Sequence, residues 1–196
     1  MIRAQRSQRR LIAAGVAIVC GALAAGGLRA PAARALTASA TLSAGTLGFV
    51  SAPSTVSFPA VTLDGLNETT SASQTFDVGD ASGSGAGWNI TATSTTFTNG
   101  TYSLPTTATT IQAAPAAPTC NTNSTCAPAT ASGSVTYPYT LPAAATAPTA
   151  TKLYSAAAGT GMGDQSVSAT WQLAIPSSAR SGSYASTWTE SLVSGP

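Results

Sequence analysis

Apolar and polar residues alternate along several stretches of this chain, which is typical of β-strands that bury one face. The clearest run spans residues 167–175, and its apolar face consists of Val167, Ala169, Trp171, Leu173 and Ile175. Shorter alternating runs cover residues 56–60, 75–78 and 135–141. Beyond residue 35, no stretch shows the 3.6-residue apolar repeat of an amphipathic helix. The pattern therefore predicts an all-β protein.

The last alternating run, residues 183–194, contains a break in its pattern. Its apolar positions are Tyr184, Trp188 and Leu192, and Glu190 falls on the same side as these residues. An unpaired buried carboxylate is costly in free energy. We therefore expect either that Glu190 lies near a rim where it reaches water, or that a β-bulge turns it away from the interior.

Glycine and proline mark the connections between the predicted strands. The glycine-rich segments 83–87 and 159–163 each precede a tryptophan-containing run, and no Gly-Lys-Ser/Thr follows them, so we interpret them as tight turns or sites of close backbone packing. Pro138 restricts its run to a sheet edge or a bulge. Residues 105–132 and 142–151 are rich in Ala, Thr and Pro and predict long loops, which are candidates for partner contact. Together these features predict a single-domain β-sandwich.

The N-terminus has the features of an export signal. Four arginines among the first ten residues precede an uncharged run from 11 to 28, and Ala33-Arg34-Ala35 has the form that signal peptidases cut. We expect a cleaved signal peptide over residues 1–35 and one domain over 36–196, with no membrane span after cleavage. An uncleaved anchor is the alternative, because the uncharged run approaches the length of a membrane span.

Removal of the signal changes the charge of the protein. Lys152 and Arg180 remain against six carboxylates, which gives a net charge of −4. A nucleic-acid partner requires clustered basic residues that neutralise phosphate, so we expect no such partner. The remaining segment of about 160 residues is long enough for one hydrophobic core.

Cys120 and Cys126 are the cysteines of the expected domain. Export delivers them to an oxidising environment, and their short spacing predicts a disulfide that closes a small loop. In the chain-entropy description such a loop contributes about 2 kcal/mol to stability. The alternative is a reactive redox pair, although no neighbouring residue in the sequence is of a kind that lowers a thiol pKa.

The residues that catalysis commonly needs are missing. The chain has no histidine, which removes Ser-His-Asp and Cys-His catalysis and the usual zinc sites. No spacing indicates the pair of carboxylates of a glycosidase. Asp77 and Asp80 lack the alternating ligand pattern of a calcium loop. We expect no catalytic, cofactor-binding or metal-binding residues, and we predict that the protein is not an enzyme.

Two tryptophan motifs carry a resemblance to a known family. The first contains Trp88 and Ile90, the second contains Trp171 and Leu173, and the ending 192–196 resembles a closing strand. In these motifs the chain resembles the WxL domain family of Gram-positive cell-surface proteins. Isoleucine at position 90 replaces the usual leucine and preserves a branched apolar group.

The resemblance covers nearly all of residues 36–196. It implies a secreted, mostly β domain on the Gram-positive cell wall, attached non-covalently to peptidoglycan or another wall polymer, often with a partner surface protein. The alternative is a structural subunit of a pilus-like or surface-layer assembly. We expect the tryptophans to be core residues, because tryptophan in an alternating strand buries a large apolar area. Stacking of the rings on a sugar is the other interpretation.

Overall fold

The computed structural model describes residues 34–51 and 53–196. Contacts between Cα atoms divide the chain into a unit that ends at Ala40 and a second unit from Thr41 to Pro196. The described residues of the first unit are exposed and have no regular secondary structure. All of the strands lie in the second unit. The expected export signal lies, up to residue 33, outside the described residues, and its cleavage stays a prediction.

The described residues form two β-sheets and no helix. The strands are β1 (Leu47–Ser51), β2 (Glu68–Asp80), β3 (Trp88–Thr95), β4 (Thr109–Ile111), β5 (Thr119–Cys120), β6 (Tyr139–Thr140), β7 (Ala143–Ala144), β8 (Thr151–Ala156), β9 (Gly163–Ile175) and β10 (Trp188–Ser194). The first sheet has the order β1-β2-β9-β4-β6, with β5 also paired to β9. The second has the order β10-β3-β7, with β8 also paired to β3. The two sheets pack together, which confirms the predicted all-β sandwich.

The longest ladder joins β2 to β9 in the first sheet. These strands pair antiparallel from Glu68 opposite Ile175 to Asp80 opposite Gly163, with no register shift. In β9 the predicted alternation is confirmed, because every second residue from Val167 to Leu173 is buried and the residues between them are exposed or half-buried. One face of this ladder therefore supplies a large part of the core.

Side chains from both sheets meet in one main hydrophobic core. Its largest fully buried members are Trp88, Trp171, Phe76, Ile90, Ile111, Leu141, Leu153, Val78 and Val167. Trp171 comes from the first sheet and Trp88 from the second. Both motif tryptophans are thus interior side chains of the sandwich.

The strand predicted at residues 56–60 is not formed. Residues 53–63, which we call the outer segment, lie beside β2 but do not pair with it in a β-ladder. A side-chain hydrogen bond links the segment to β2 instead of main-chain pairing. The Gln74 Nε2 amide donates to the Ser54 carbonyl at 3.1 Å. Pro59 has no N–H to offer a ladder, which disfavours regular pairing in this segment.

The run at residues 135–141 forms only a short strand. Tyr139–Thr140 is β6, at the edge of the first sheet. This position confirms the edge expected from Pro138, which follows a cis peptide bond after Tyr137. Alternation alone therefore overestimated the length of the strand.

The predicted long loop over residues 105–132 contains two short strands. This segment contributes β4 and β5, and both pair with β9. The predicted disulfide between Cys120 and Cys126 is confirmed. Residues 142–151 likewise contribute β7, which pairs parallel with β3. Main-chain groups in both segments thus find partners in the sheets.

The two glycine-rich segments contact each other, and the close backbone packing that was one of the two expectations for them is confirmed. The Gly159 N–H donates to the Gly85 carbonyl at 2.8 Å. Gly161 has a φ of 83°, which favours glycine, and a Cβ added there would lie 2.5 Å from the Trp88 Nε1 atom. The second turn therefore packs its backbone directly against a buried indole ring.

Candidate functional site

A groove with a volume of about 1080 Å³ opens between the outer segment and residues 179–186, which we call the closing segment. Strands β2, β9 and β10 contribute Gln74, Leu173 and Glu190 to its lining. The volume is similar to that of sites that hold small organic ligands. This groove is the candidate functional site.

Four aromatic side chains line the groove. Phe97 lies edge-on to Phe58, with 6.0 Å between the ring centroids, and edge-on to Trp188, at 6.4 Å. Trp188 is half-buried and packs on the fully buried Trp171 at 4.8 Å. Tyr184 of the closing segment adds a fourth lining ring. The groove thus offers apolar ring surface that rests on the core.

Glu190 points towards the interior without any bulge. The ladder between β10 and β3 is continuous from Trp188 to Ser194, so the bulge alternative is wrong. Glu190 is half-buried and lines the groove. Its Oε2 atom accepts a hydrogen bond from Gln74 Nε2 at 3.1 Å, and its Oε1 atom is buried with no partner among the described residues. Burial raises the pKa of the Glu190 carboxyl, and the Gln74 hydrogen bond lowers it by less.

The raised pKa makes a prediction about stability. A carboxyl with a higher pKa in the folded state adds stability below its unfolded pKa, and this stability is lost as the pH rises through the folded value. Glu190→Gln removes the buried charge, so we expect a higher urea midpoint than the native protein near pH 7 and a difference that shrinks towards about pH 4. Burial, with a smaller contribution from the charge of Glu190, raises the pKa of Tyr139, so this phenol stays neutral over the same range. Parallel urea curves at the two pH values measure the effect, and a constant difference between them would contradict it.

A hydrogen-bond network connects the core to the groove. The Trp171 Nε1–H donates to Gln74 Oε1 at 2.8 Å. The amide nitrogen of Gln74 then donates both to Glu190 and to the Ser54 carbonyl of the outer segment. Because Trp171 fixes the orientation of Gln74, it also positions one carboxylate and one wall of the groove.

A cation lies at the rim of the groove. Arg180 is exposed, and its guanidinium lies 5.7 Å from the centroid of the Tyr102 ring. The Tyr184 hydroxyl donates to the Arg180 carbonyl at 2.9 Å, which holds the closing segment in shape. The groove therefore presents one guanidinium at its rim and one carboxylate inside.

The chemistry of this lining suits binding. Among the described residues, Glu190 is the single carboxylate in the lining, whereas glycoside hydrolysis usually uses a pair. In the same part of the chain, no three His, Cys, Asp or Glu side chains gather where they would hold a metal ion. Ring surface, one guanidinium, one carboxylate and main-chain groups can stack, pack and hydrogen-bond.

Comparison with known families identifies the chain. The family model described as WxL domain surface cell wall-binding matches residues 36–196. The chain belongs to the WxL domain family. No curated protein and no solved structure gave a significant match. The match confirms the resemblance carried by the two tryptophan motifs.

Family membership places this WxL protein at the cell wall or cell surface. No helix long and apolar enough to cross a membrane occurs between residue 34 and the C-terminus, residue 52 aside. The family description refers to wall binding, and the groove described above is a concave surface lined by both apolar and polar side chains.

The motif residues of the WxL domain lie in or beside the core. Trp88 and Ile90 of β3 are fully buried, and the Trp88 Nε1–H donates to the Gly161 carbonyl at 2.9 Å. Trp171 is also fully buried. Leu173 is 6% exposed and lines the groove. Of the four motif side chains, Leu173 is thus the one that reaches the candidate site.

The disulfide lies outside the groove lining. The residue after Cys120, Asn121, donates to Asp77 and Asp164 of the first sheet through its side-chain amide. A Cβ on Gly163 would lie 2.9 Å from the Cys126 Cα atom, so the backbone of the loop packs closely on the start of β9. These contacts fasten the loop to the sheet.

Sequence reasoning missed several groove residues. Nothing in the alternation of β2 distinguished Gln74, which is a buried polar residue among serines and threonines. Phe97 lies after β3 in a stretch without a clear pattern. Glu190 did carry a signal in the sequence, because it is a charged residue at a position of the alternating pattern where apolar residues are expected.

Proposed function

We propose that this WxL domain is a non-catalytic module that attaches non-covalently to the peptidoglycan of a Gram-positive cell wall, and that the groove is its binding site. The observation that carries the proposal is that a chain matching a family of wall-binding domains has a groove that combines ring surface and polar groups.

The lining supports a wall polymer as the ligand. Sugar rings have apolar faces and hydroxyl edges, and the stem peptides add amide and carboxylate groups. Phe58, Phe97 and Trp188 offer apolar surface, Arg180 offers a donor to a carboxylate, and Glu190 offers an acceptor.

Among the residues that the structure describes, the groove lining contains a single carboxylate, which supports a non-catalytic role. Glu190 alone can accept or hold a proton, yet neither route of glycoside hydrolysis runs on one carboxylate in the usual mechanism. We expect that wall fragments incubated with the protein keep their length and their linkages.

Substitution of the groove cation tests the proposal. Arg180→Ala removes a charged donor at the rim, and we expect the purified protein to bind purified peptidoglycan about tenfold or more weakly, because hydrogen bonds to charged groups contribute about 1.5 to 3 kcal/mol. The exposed position of Arg180 keeps the fold intact. Co-sedimentation with wall over a range of protein concentrations measures the change.

Lys152→Ala is the matched control. It removes the same charge from a residue of β8 that does not line the groove. We expect its wall binding to equal that of the native protein. Equal binding by both variants would place the wall site elsewhere, and a native protein that stays in the supernatant would refute wall attachment. Oligomers indifferent to wall would instead support the structural-subunit alternative.

A further inference from the structure

Among the described residues, the first half of strand β2 has no ladder partner on one of its two sides. β1 pairs with β2 only at Asp77–Asp80, and β9 occupies the opposite side along the full length of β2. The outer segment makes no main-chain hydrogen bond to residues 68–76 within the described part of the chain. It is linked there by side chains, through Gln74 to Ser54 and through Thr70 to Pro59.

The direction of the free main-chain groups follows from the ladder. Both the N–H and the C=O of Ala81 bond across to the β1 side, at Thr46 and Gly45. Residues in a strand point their main-chain groups to alternate sides. With no register shift in the pairing of β2 with β9, every second residue back from Ala81 points the same way. Thr69, Ser71, Ser73 and Thr75 therefore aim their N–H and C=O groups at the free edge.

Within residues 69–76, this edge lacks the protective residues that usually prevent pairing with another strand. Exposed edge strands generally carry a charge, a proline or a bulge. Residues 69–76 contain no charged residue and no proline, and their ladder with β9 is regular. The exposed side chains of Ser71 and Ser73 are small hydroxyls. Such an edge is a template for another strand.

We propose that the edge pairs with the same edge of a second copy of this chain, across a two-fold axis at Ala72. Antiparallel pairing then places Ser71 opposite Ser73 of the second copy and Thr69 opposite Thr75. All eight of these positions direct main-chain groups at the partner, so the edge is self-complementary, as a two-fold interface requires. The hydroxyl pairs on the outer face add cross-strand hydrogen bonds.

The absence of charge makes a second copy the fitting occupant. The expected domain has a net charge of −4, so a charged edge would repel its own copy, and this edge has no charge between Glu68 and Asp77. The pairing closes on itself and produces a dimer. If the groove binds wall, as proposed above, a dimer carries two grooves, and linked sites are retained more strongly than single ones.

Proline substitution at the edge tests the dimer. The double variant Ser71→Pro, Ser73→Pro removes two N–H groups that make no main-chain bond in a single copy, and proline is tolerated at such edge positions. We expect the native protein to sediment as a dimer in analytical ultracentrifugation at about 100 µM, and the double variant to dimerise at least about tenfold more weakly through its lost hydrogen bonds. Its melting temperature at high dilution should match that of the native protein.

Two further variants keep the test decisive. Ala72→Pro removes an N–H that faces β9, so it should lower the melting temperature strongly and thereby verify the direction of the main-chain groups. Ser71→Lys, Ser73→Lys keeps the backbone intact and places like charges opposite each other, so it should also produce monomers. A native monomer at about 100 µM, or a dimer that survives both double variants, would refute the pairing. Ser71 and Ser73 do not line the groove, so both double variants should bind wall fragments as well as the native protein does. Failure of the dimer and failure of wall binding can therefore be distinguished.

Discussion

Trp171→Ala is expected to lower the free energy of unfolding by about 3 to 5 kcal/mol, because it removes a fully buried indole from the centre of the core. For a domain of this size the melting temperature should fall by roughly 10 °C. The loss comes from ring packing against Trp188 and Tyr139 and from the hydrogen bond to Gln74. Thermal unfolding followed by circular dichroism measures it.

Trp171→Phe separates the two contributions to that loss. Phenylalanine keeps part of the ring packing but has no N–H, so Gln74 Oε1 loses its donor inside the protein. We expect an intermediate melting temperature and weaker wall binding, because Gln74 would no longer be fixed against Glu190 and Ser54. A Trp171→Ala protein that keeps its full stability while it loses wall binding would show that the ring contacts ligand directly.

The structure indicates why the regular part of the fold was predictable. In β9 every second side chain is buried against the second sheet, so burial imposes a two-residue period on the sequence itself. The disulfide was predictable for a different reason. Cys120 and Cys126 are the cysteines of the expected domain, and their short spacing favours a bond between them. Local patterns therefore carry these features.

The groove was not predictable from local patterns, since non-local side-chain bonds build it. The outer segment alternates like a strand at Val56 and Phe58, and side chains of β2 hold it in place of a ladder. Gln74 bonds to Trp171, which is 97 residues away in sequence, and to Glu190, which is 116 residues away. Such a network depends on tertiary contacts that alternation does not encode.

Gly161→Ala is the second substitution with a large expected effect. The residue has a φ of 83°, and a Cβ there would lie 2.5 Å from Trp88 Nε1 and 3.1 Å from Trp88 Cε2. Left-handed backbone costs a non-glycine residue about 1 to 2 kcal/mol, and overpacking of a core costs about 1 to 3 kcal/mol. We expect a total loss of about 2 to 5 kcal/mol, since the fully buried indole cannot move without breaking its bond to the Gly161 carbonyl.

Gly159→Ala is the matched control in the same turn. Its φ of 80° is almost the same, but a Cβ there would meet nothing within 4 Å. The control should therefore lose only the backbone part, about 1 to 2 kcal/mol. Urea unfolding of both variants gives the difference, which isolates the contact between the turn and the Trp88 ring. Equal losses of unfolding free energy would mean that glycine is needed at both positions only for its backbone conformation, and that close packing against the Trp88 indole adds nothing.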